Sequence, residues 1–290
     1  MLKVLRALRQ CVGLAMAIGV ASALAAPLQI TDDRGQVVRW DSPPMRIVSL
    51  LPSLTESVCA LGACDRLVGV DRYSNWPEPV TRLPRMGGGL DPVIEQVVAQ
   101  RPDVVLLATS SRAAQRLESL GLRVVAIEPH SHADVQRMLQ RLSVMLGLDT
   151  AADLWQRIDT GLLAQAQAVA LKARGLRVYL EVNAAPYAAG EASFIGETLT
   201  RLGLRNVVPR DLGSFPRINP EFVVRADPDL IIVAHADAAS LARRPGWQAM
   251  RAVRGQRVCR LSVAEADILV RAGPRLLEAA RLMAQCAMQS

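Results

Sequence analysis

Between Arg46 and Leu261 the chain alternates short, almost unbroken apolar runs with stretches of helical periodicity. Ile47 to Leu51, Leu67 to Val70, Val104 to Ala108 and Val124 to Ile127 form one set of runs. Arg177 to Val182, Leu230 to Ala234 and Arg257 to Leu261 form a second. A half-exposed strand alternates apolar and polar residues, whereas a strand covered on both faces has no polar side. Unbroken β-branched runs separated by helices therefore predict parallel sheets, each sandwiched by helices, in two halves. Ahead of them, Leu28 to Trp40 reads as a hairpin around Asp32-Asp33-Arg34-Gly35, closed by Pro43-Pro44. Between the halves, Ala152 to Arg174 keeps Leu154, Trp155, Ile158, Leu162, Leu163, Ala166, Val169 and Ala170 at helical spacing. Asp149-Thr150 is its start signal and Gly175 its stop. As a single helix it makes a rod of about 35 Å.

An internal repeat sharpens this organisation. Glu95 to Ala108 can be laid on Glu221 to Ala234, with Glu95/Glu221, Val97/Val223, Val98/Val224, Pro102/Pro228, Asp103/Asp229 and Ala108/Ala234 identical. Each copy reads as a short helix, a Pro-Asp turn and a buried strand, one copy per lobe. The predicted fold is α/β: two Rossmann-like lobes with mainly parallel sheets, joined by one long rigid α-helix, with a ligand cleft between them. Its segments are 26–45 for the hairpin, 46–148 for the first lobe, 149–175 for the connecting helix and 176–290 for the second lobe.

Composition narrows the class. With 51% apolar, 21% charged and only 3% aromatic residues, the core is built from Leu, Val, Ala and Ile, and disorder is excluded. Residues 1–25 read as a signal peptide: Lys3, Arg6 and Arg9, an apolar stretch from Cys11 to Leu24, then Ala23-Leu24-Ala25 as cleavage site. An N-terminal membrane anchor is the alternative reading, and Cys11 lacks the small residues a lipobox needs before it. Losing three positive charges takes the net charge from +7 to +4. Arginines dispersed among acids, without a basic aromatic stripe, exclude a nucleic-acid partner. An exported chain can hold disulfides, and Cys59, Cys64, Cys259 and Cys286 allow three pairings. The local pairing, Cys59 with Cys64 and Cys259 with Cys286, is preferred over the others, and buried free thiols remain open.

Candidate chemistry is sparse. No nucleophile elbow, zincin helix, phosphate-binding loop or dinucleotide fingerprint is present, so no enzyme activity is expected. Gly87, Gly88 and Gly89 precede Asp91-Pro92, whose carboxylate would repel a phosphate, and are read as backbone that lets a ligand approach the cleft rim. His130, His132 and His235 all follow predicted strands, where ligands of parallel sheets collect. With Glu128 they could form a metal site. The competing reading leaves His130 and His132 on a surface loop and His235 open between the two. Tyr73, Trp76, Tyr187 and Phe215 fall in loops and could grip a flat organic ligand, or pack on their own lobe. Glu95 and Glu221 begin equivalent helices and could face a two-fold partner bearing arginines, or simply favour the helix dipole.

Taken together, Arg46-Ile-Val-Ser-Leu50, Pro52-Ser-Leu-Thr-Glu56, Leu67 to Pro77, the Glu95…Pro102-Asp103 repeat, Phe215 to Glu221 and Gly246-Trp247…Val258 resemble substrate-binding proteins of bacterial ABC importers. The class resembled is the helical-backbone one that serves vitamin B12, haem and ferric siderophores, and the vitamin B12-binding members are the most similar. The resemblance implies a monomeric periplasmic protein that hands a metal chelate, a corrinoid first, to a permease and its ATPase. It carries no cofactor of its own. Ligand contacts are implied at Tyr73, Phe215, Asp267 and Arg271, and permease docking at Glu95 and Glu221. Gly88, Gly89 and His235 complete the candidate ligand set. Gly89 and Ala108 stand where that family places tryptophans, and the hairpin is closer to siderophore binders. A ferric siderophore, haem, or Zn and Mn held by histidines are the alternative ligands.

Overall fold

The computed structural model describes residues 28–289 apart from Ala185, 236–240 and Ala242. The signal peptide assigned to residues 1–25 lies outside the described residues.

The hairpin forms from β1 (Leu28–Thr31) and β2 (Val37–Trp40), antiparallel. Asp32 accepts the Arg34 and Gln36 amides, both at 2.9 Å, and Gly35 takes the positive φ of 79° that closes the turn. Ile30 and Trp40 are buried in the main core, so the hairpin is part of the first lobe's packing.

The first sheet is wholly parallel, in the order β4-β3-β5-β6: β3 (Ile47–Ser49), β4 (Leu67–Val70), β5 (Val104–Leu107) and β6 (Val124–Ala126). The second sheet repeats that arrangement with β7 (Arg177–Asn183), β10 (Leu230–Val233) and β11 (Val258–Arg260), all parallel, β10 in the centre. Two short strands complete it: β8 (Tyr187–Ala188), antiparallel to β7, and β9 (Arg205–Asn206), parallel to it.

The repeat has a physical reason. Asp103 accepts the Met45 and Arg46 amides at 2.8 Å, and its own amide donates to the Arg46 carbonyl. Asp229 does the same for the Arg177 amide and carbonyl, at 2.9 and 2.8 Å. In each lobe the aspartate fastens the central strand to its neighbour at the point where both begin.

Ten α-helices occur among the described residues. Those that shape the site are α1 (Pro52–Ala60), α2 (Ile94–Ala99), α4 (His132–Leu146), α5 (Ala151–Ala168), α6 (Phe194–Arg201), α7 (Pro220–Ala226), α9 (Val263–Val270) and α10 (Leu276–Met288). The linking helix is shorter than its periodicity predicts. It stops at Ala168, and a 3-10 turn over Leu171–Ala173 carries the chain to Gly175. Val169 and Ala173 remain buried in that non-helical stretch, which is why the apolar pattern runs on. Gly161 lets α5 and α10 approach closely, since a Cβ there would meet the Leu277 side chain at 2.5 Å. One continuous apolar core runs through α1, α4, α5, α6 and α10, so the lobes share packing beyond the single linking helix. The disulfides are Cys59–Cys64 and Cys259–Cys286, the local pairing. No helix of the described residues is long and apolar enough to cross a membrane.

Candidate ligand cleft between the lobes

A cavity of about 410 Å³ opens where the two lobes face each other, within the range of small-molecule sites. From the first lobe it is lined by Leu51, Pro52 and Ser53 at the start of α1, by Tyr73 after β4, and by Glu128, Pro129 and His130 after β6. The second lobe supplies Phe194 at the start of α6, Phe215 before α7, and Asp267, Val270, Arg271 and Ala272 around the end of α9. Tyr73 and Glu128 to His130 follow the carboxyl ends of parallel strands β4 and β6, where such sheets bind ligands.

The aromatic walls are supported from behind. Tyr73 is 61% exposed, and its amide donates to Asp71 at 3.0 Å. Asp71 is fully buried, and burial raises its carboxyl above the usual carboxylate range although the Ser74 hydroxyl and the Tyr73 amide bond it. On the other wall Phe215 stacks against Phe194 with ring centres 5.9 Å apart and tilted by 59°. Glu128 is held by the Thr109 hydroxyl at 2.6 Å and the Ser110 amide at 3.0 Å. Its own amide donates to Asp33 of the hairpin turn at 2.9 Å, so the N-terminal hairpin helps place this carboxylate.

A charged network lies beneath the cleft floor. Glu56 on α1, 2% exposed, accepts from Arg271 at 2.7 Å and from Arg275 at 2.6 and 2.9 Å. Arg271 also donates to the Asn75 side chain and the Tyr73 carbonyl, at 2.8 and 3.0 Å, and pairs with Asp267 at 2.9 Å. Asn75 closes the ring by donating to Asp267 at 2.7 Å.

Among the sequence candidates, the cleft brings together Tyr73, Phe215, Asp267 and Arg271. It does not include Gly88 and Gly89. A Cβ on Gly89 would lie 2.6 Å from the Leu50 carbonyl, and one on Gly88 would strike Asp91. At Gly89 the backbone of the first lobe occupies the place a side chain would need, whereas at Gly88 the neighbour is a side chain. His235 is not in the cleft either. Its Nε2 lies 2.8 Å from Glu181, a fully buried carboxylate that also pairs with Arg244 at 2.7 Å and accepts from the Tyr179 hydroxyl at 3.0 Å. Parallel pairing sets Glu181 beside Val233, so the strand end turns His235 into the second lobe. Trp76 lies under the Arg275 guanidinium, 5.5 Å from ring centre to Cζ, and Tyr187 is in β8. The three histidines do not converge, and no metal-holding group of three or more His, Cys, Asp or Glu exists among the described residues. Glu56, Phe194 and Asn75 were not singled out by the sequence.

His132 is buried at a second seam between the lobes. Arg201 can only donate, so Nδ1 accepts from it at 3.4 Å and the ring proton sits on Nε2, 3.1 Å from the Phe194 carbonyl. Burial lowers its pKa below the ordinary 6.5. A base with a depressed folded value favours the folded state above its unfolded value, and that contribution fades as pH falls through about 6.5 and below. The wild-type chain should therefore lose more melting temperature between pH 7.5 and pH 5 than His132→Gln does. Equal losses in the two would contradict this assignment.

Known proteins share this architecture. The family model described as periplasmic binding protein matches residues 47–263. An uncharacterized ABC transporter substrate-binding lipoprotein of Bacillus subtilis is 27% identical over 274 residues, covering 89% of this chain and 85% of that one. A vitamin B12-binding protein of Pectobacterium atrosepticum is 24% identical over 247 residues, with 82% and 86% covered. In structure, a periplasmic haem-binding protein from Pseudomonas aeruginosa superposes with a TM-score of 0.75 at 27% identity, covering 85% of this chain and 94% of that one. With the family match spanning both parallel sheets and most of the chain, the chain belongs to the periplasmic binding protein family.

Proposed function

We propose that this protein is the exported solute-binding component of an ABC importer, that it captures a corrinoid, and that it delivers it to a membrane permease. No covalent chemistry is involved. The charge of the cleft carries the choice of ligand. Its charged lining consists of Glu128, Asp267 and Arg271, and Arg271 already donates to Glu56, Asn75 and the Tyr73 carbonyl. Arg271 is also paired with Asp267, so the lining offers an anionic ligand no uncommitted cation. The Glu128 carboxylate, held by Thr109 and Ser110, faces the ligand with no ion pair among the described residues. Haem presents two propionates, and a catecholate ferric siderophore carries several negative charges. Like charges brought together at an interface cost several kcal/mol. A corrinoid instead presents primary amides around its rim, whose N–H groups suit carboxylate acceptors. Its apolar ring edge suits Tyr73, Phe194 and Phe215.

Haem is the second reading, supported by Tyr73 and His130 in the cleft as groups able to ligate iron, and by the likeness to a haem-binding protein. A cobalt already ligated within its corrinoid needs neither. The variant combining Tyr73→Phe with His130→Ala is expected to bind cyanocobalamin with an affinity within roughly a factor of three of wild type, because the ring is kept. Phe215→Ala should weaken binding by about 1.5–3 kcal/mol, or roughly 10- to 150-fold. Calorimetry that found cyanocobalamin binding abolished in the first variant and untouched in the second would reject the corrinoid reading.

A further inference from the structure

Arg271 lines the cleft, yet most of its hydrogen-bonding capacity is spent away from it. Glu56, Tyr73 and Asn75 belong to the first lobe, whereas Asp267, Arg271 and Arg275 belong to the second. Every bond from Arg271 and Arg275 to Glu56 thus ties one wall of the cleft to the other. The Glu56 carboxylate has no solvent access to compensate it, and three guanidinium N–H groups saturate it. Two charges of each sign, Glu56 and Asp267 with Arg271 and Arg275, balance within the network. The two cleft residues connected to it are Tyr73, through its carbonyl, and Asp267, through Arg271 and Asn75.

A guanidinium has a rigid, planar set of donors, so several simultaneous bonds fix the position of the groups that accept them. Here the groups fixed are a wall of one lobe and a wall of the other. Both ends are also secured along the chain. Glu56 is on α1, which ends in the Cys59–Cys64 disulfide, and Arg275 immediately precedes α10, which Cys286 joins to β11.

We propose that Glu56 is a positioning residue that sets the spacing of the cleft walls in the ligand-free protein, acting through Arg271 on Tyr73 and Asp267. Ligand then meets walls already placed, and little binding free energy is lost to closing them. This rests on the cleft being the ligand site, as proposed above. It goes further in assigning Arg271 to the geometry of the cleft.

Spin labels carried on unnatural amino acids at the exposed Gln115 and Gln248, one per lobe, would read the inter-lobe distance distribution without touching the cysteines. Glu56→Gln keeps the side-chain shape and removes the charge. Its ligand-free distribution is expected to be broader than wild type and to narrow to the wild-type one in saturating cyanocobalamin. Its dissociation constant should rise by roughly tenfold or more, the cost of ordering walls that are no longer held. Phe215→Ala, a contact change, should lose affinity with an unaltered ligand-free distribution. A wild-type distribution in ligand-free Glu56→Gln would overturn the proposal, even if the variant melts earlier. Should Glu56→Gln not fold, Glu56→Asp, which keeps the charge but shortens the reach to Arg271 and Arg275, is read in its stead: broadening supports the proposal and its absence overturns it. If wild-type protein ignores cyanocobalamin, the corrinoid reading falls, while the comparison of ligand-free widths still decides the role of Glu56.

Discussion

Cobalamin uptake is expected to collapse when Glu95→Ala and Glu221→Ala are combined, with the cobalamin affinity of the purified protein unchanged. Both side chains are exposed in the first turn of their helices, α2 and α7, and neither lines the cleft. The sheets give them equivalent places. Helix α2 leads into β5, between β3 and β6, and α7 leads into β10, between β7 and β11. Buried Val97 and Val223 anchor the two helices at matching positions, leaving the carboxylates outward. Among the described residues the Glu221 carboxylate makes one loose ion pair, with Arg225 at 3.9 Å, and so is open to a partner. Truncating one member of a hydrogen-bonded charge pair at an interface costs about 2–5 kcal/mol, so losing two weakens docking on the order of a thousandfold or more. Uptake of labelled cobalamin by cells carrying only the double variant measures this. Uptake at the wild-type rate, or lost affinity in the purified protein, would remove these residues from the docking role.

Glu181→Ala should be the most destabilising single change in the second lobe. Its carboxylate is fully buried and accepts from Arg244 through two nitrogens, at 2.7 and 2.9 Å, as well as from Tyr179. Burial and the neighbouring carboxylate push the Tyr179 phenol far above its ordinary value, so it stays a neutral donor. Arg244 lies over Trp247, 4.6 Å from its centre, and Trp247 packs edge-on against Tyr179. Removing the carboxylate takes a buried acceptor from the Arg244 guanidinium and the Tyr179 hydroxyl and opens a cavity, at a cost of about 3–5 kcal/mol. Urea denaturation would measure the loss. Glu181→Gln should recover part of it, because it fills the space and keeps one acceptor. An alanine variant within about 1 kcal/mol of wild type would mean the cluster contributes no more than a typical surface pair.

What could be read from the sequence follows from the range of each interaction. The seven main strands were legible because a strand covered on both faces is apolar throughout. Strands β8 and β9 were not, because two-residue strands are made by backbone pairing with β7 and carry no side-chain period. The α5 end was misplaced because Val169 and Ala173 stay buried after the helix stops. In the site, Tyr73, Phe215, Asp267 and Arg271 came from a resemblance in motif; composition and periodicity did not yield them. Glu56 looked like one more helix glutamate, since the arginines that bury it come 215 and 219 residues later. Two arginines around Ala-Gly-Pro, between two apolar helical stretches, were the available signal. His235 was placed correctly at a strand end, but the strand register that turns it toward Glu181 is a property of the folded sheet.

The central claim is that a cleft whose lining arginine is already paired, and which presents the Glu128 carboxylate without a cation, takes an amide-rimmed corrinoid in preference to an anionic chelate. Calorimetric titration of the purified protein with cyanocobalamin, haemin and a catecholate ferric siderophore, side by side, tests it most directly. The account predicts one-to-one binding of cyanocobalamin with Kd between about 1 μM and 1 nM, or roughly −8 to −12 kcal/mol, and no heat from the two anionic chelates. Silence with cyanocobalamin and tight binding of haemin or the siderophore would contradict it.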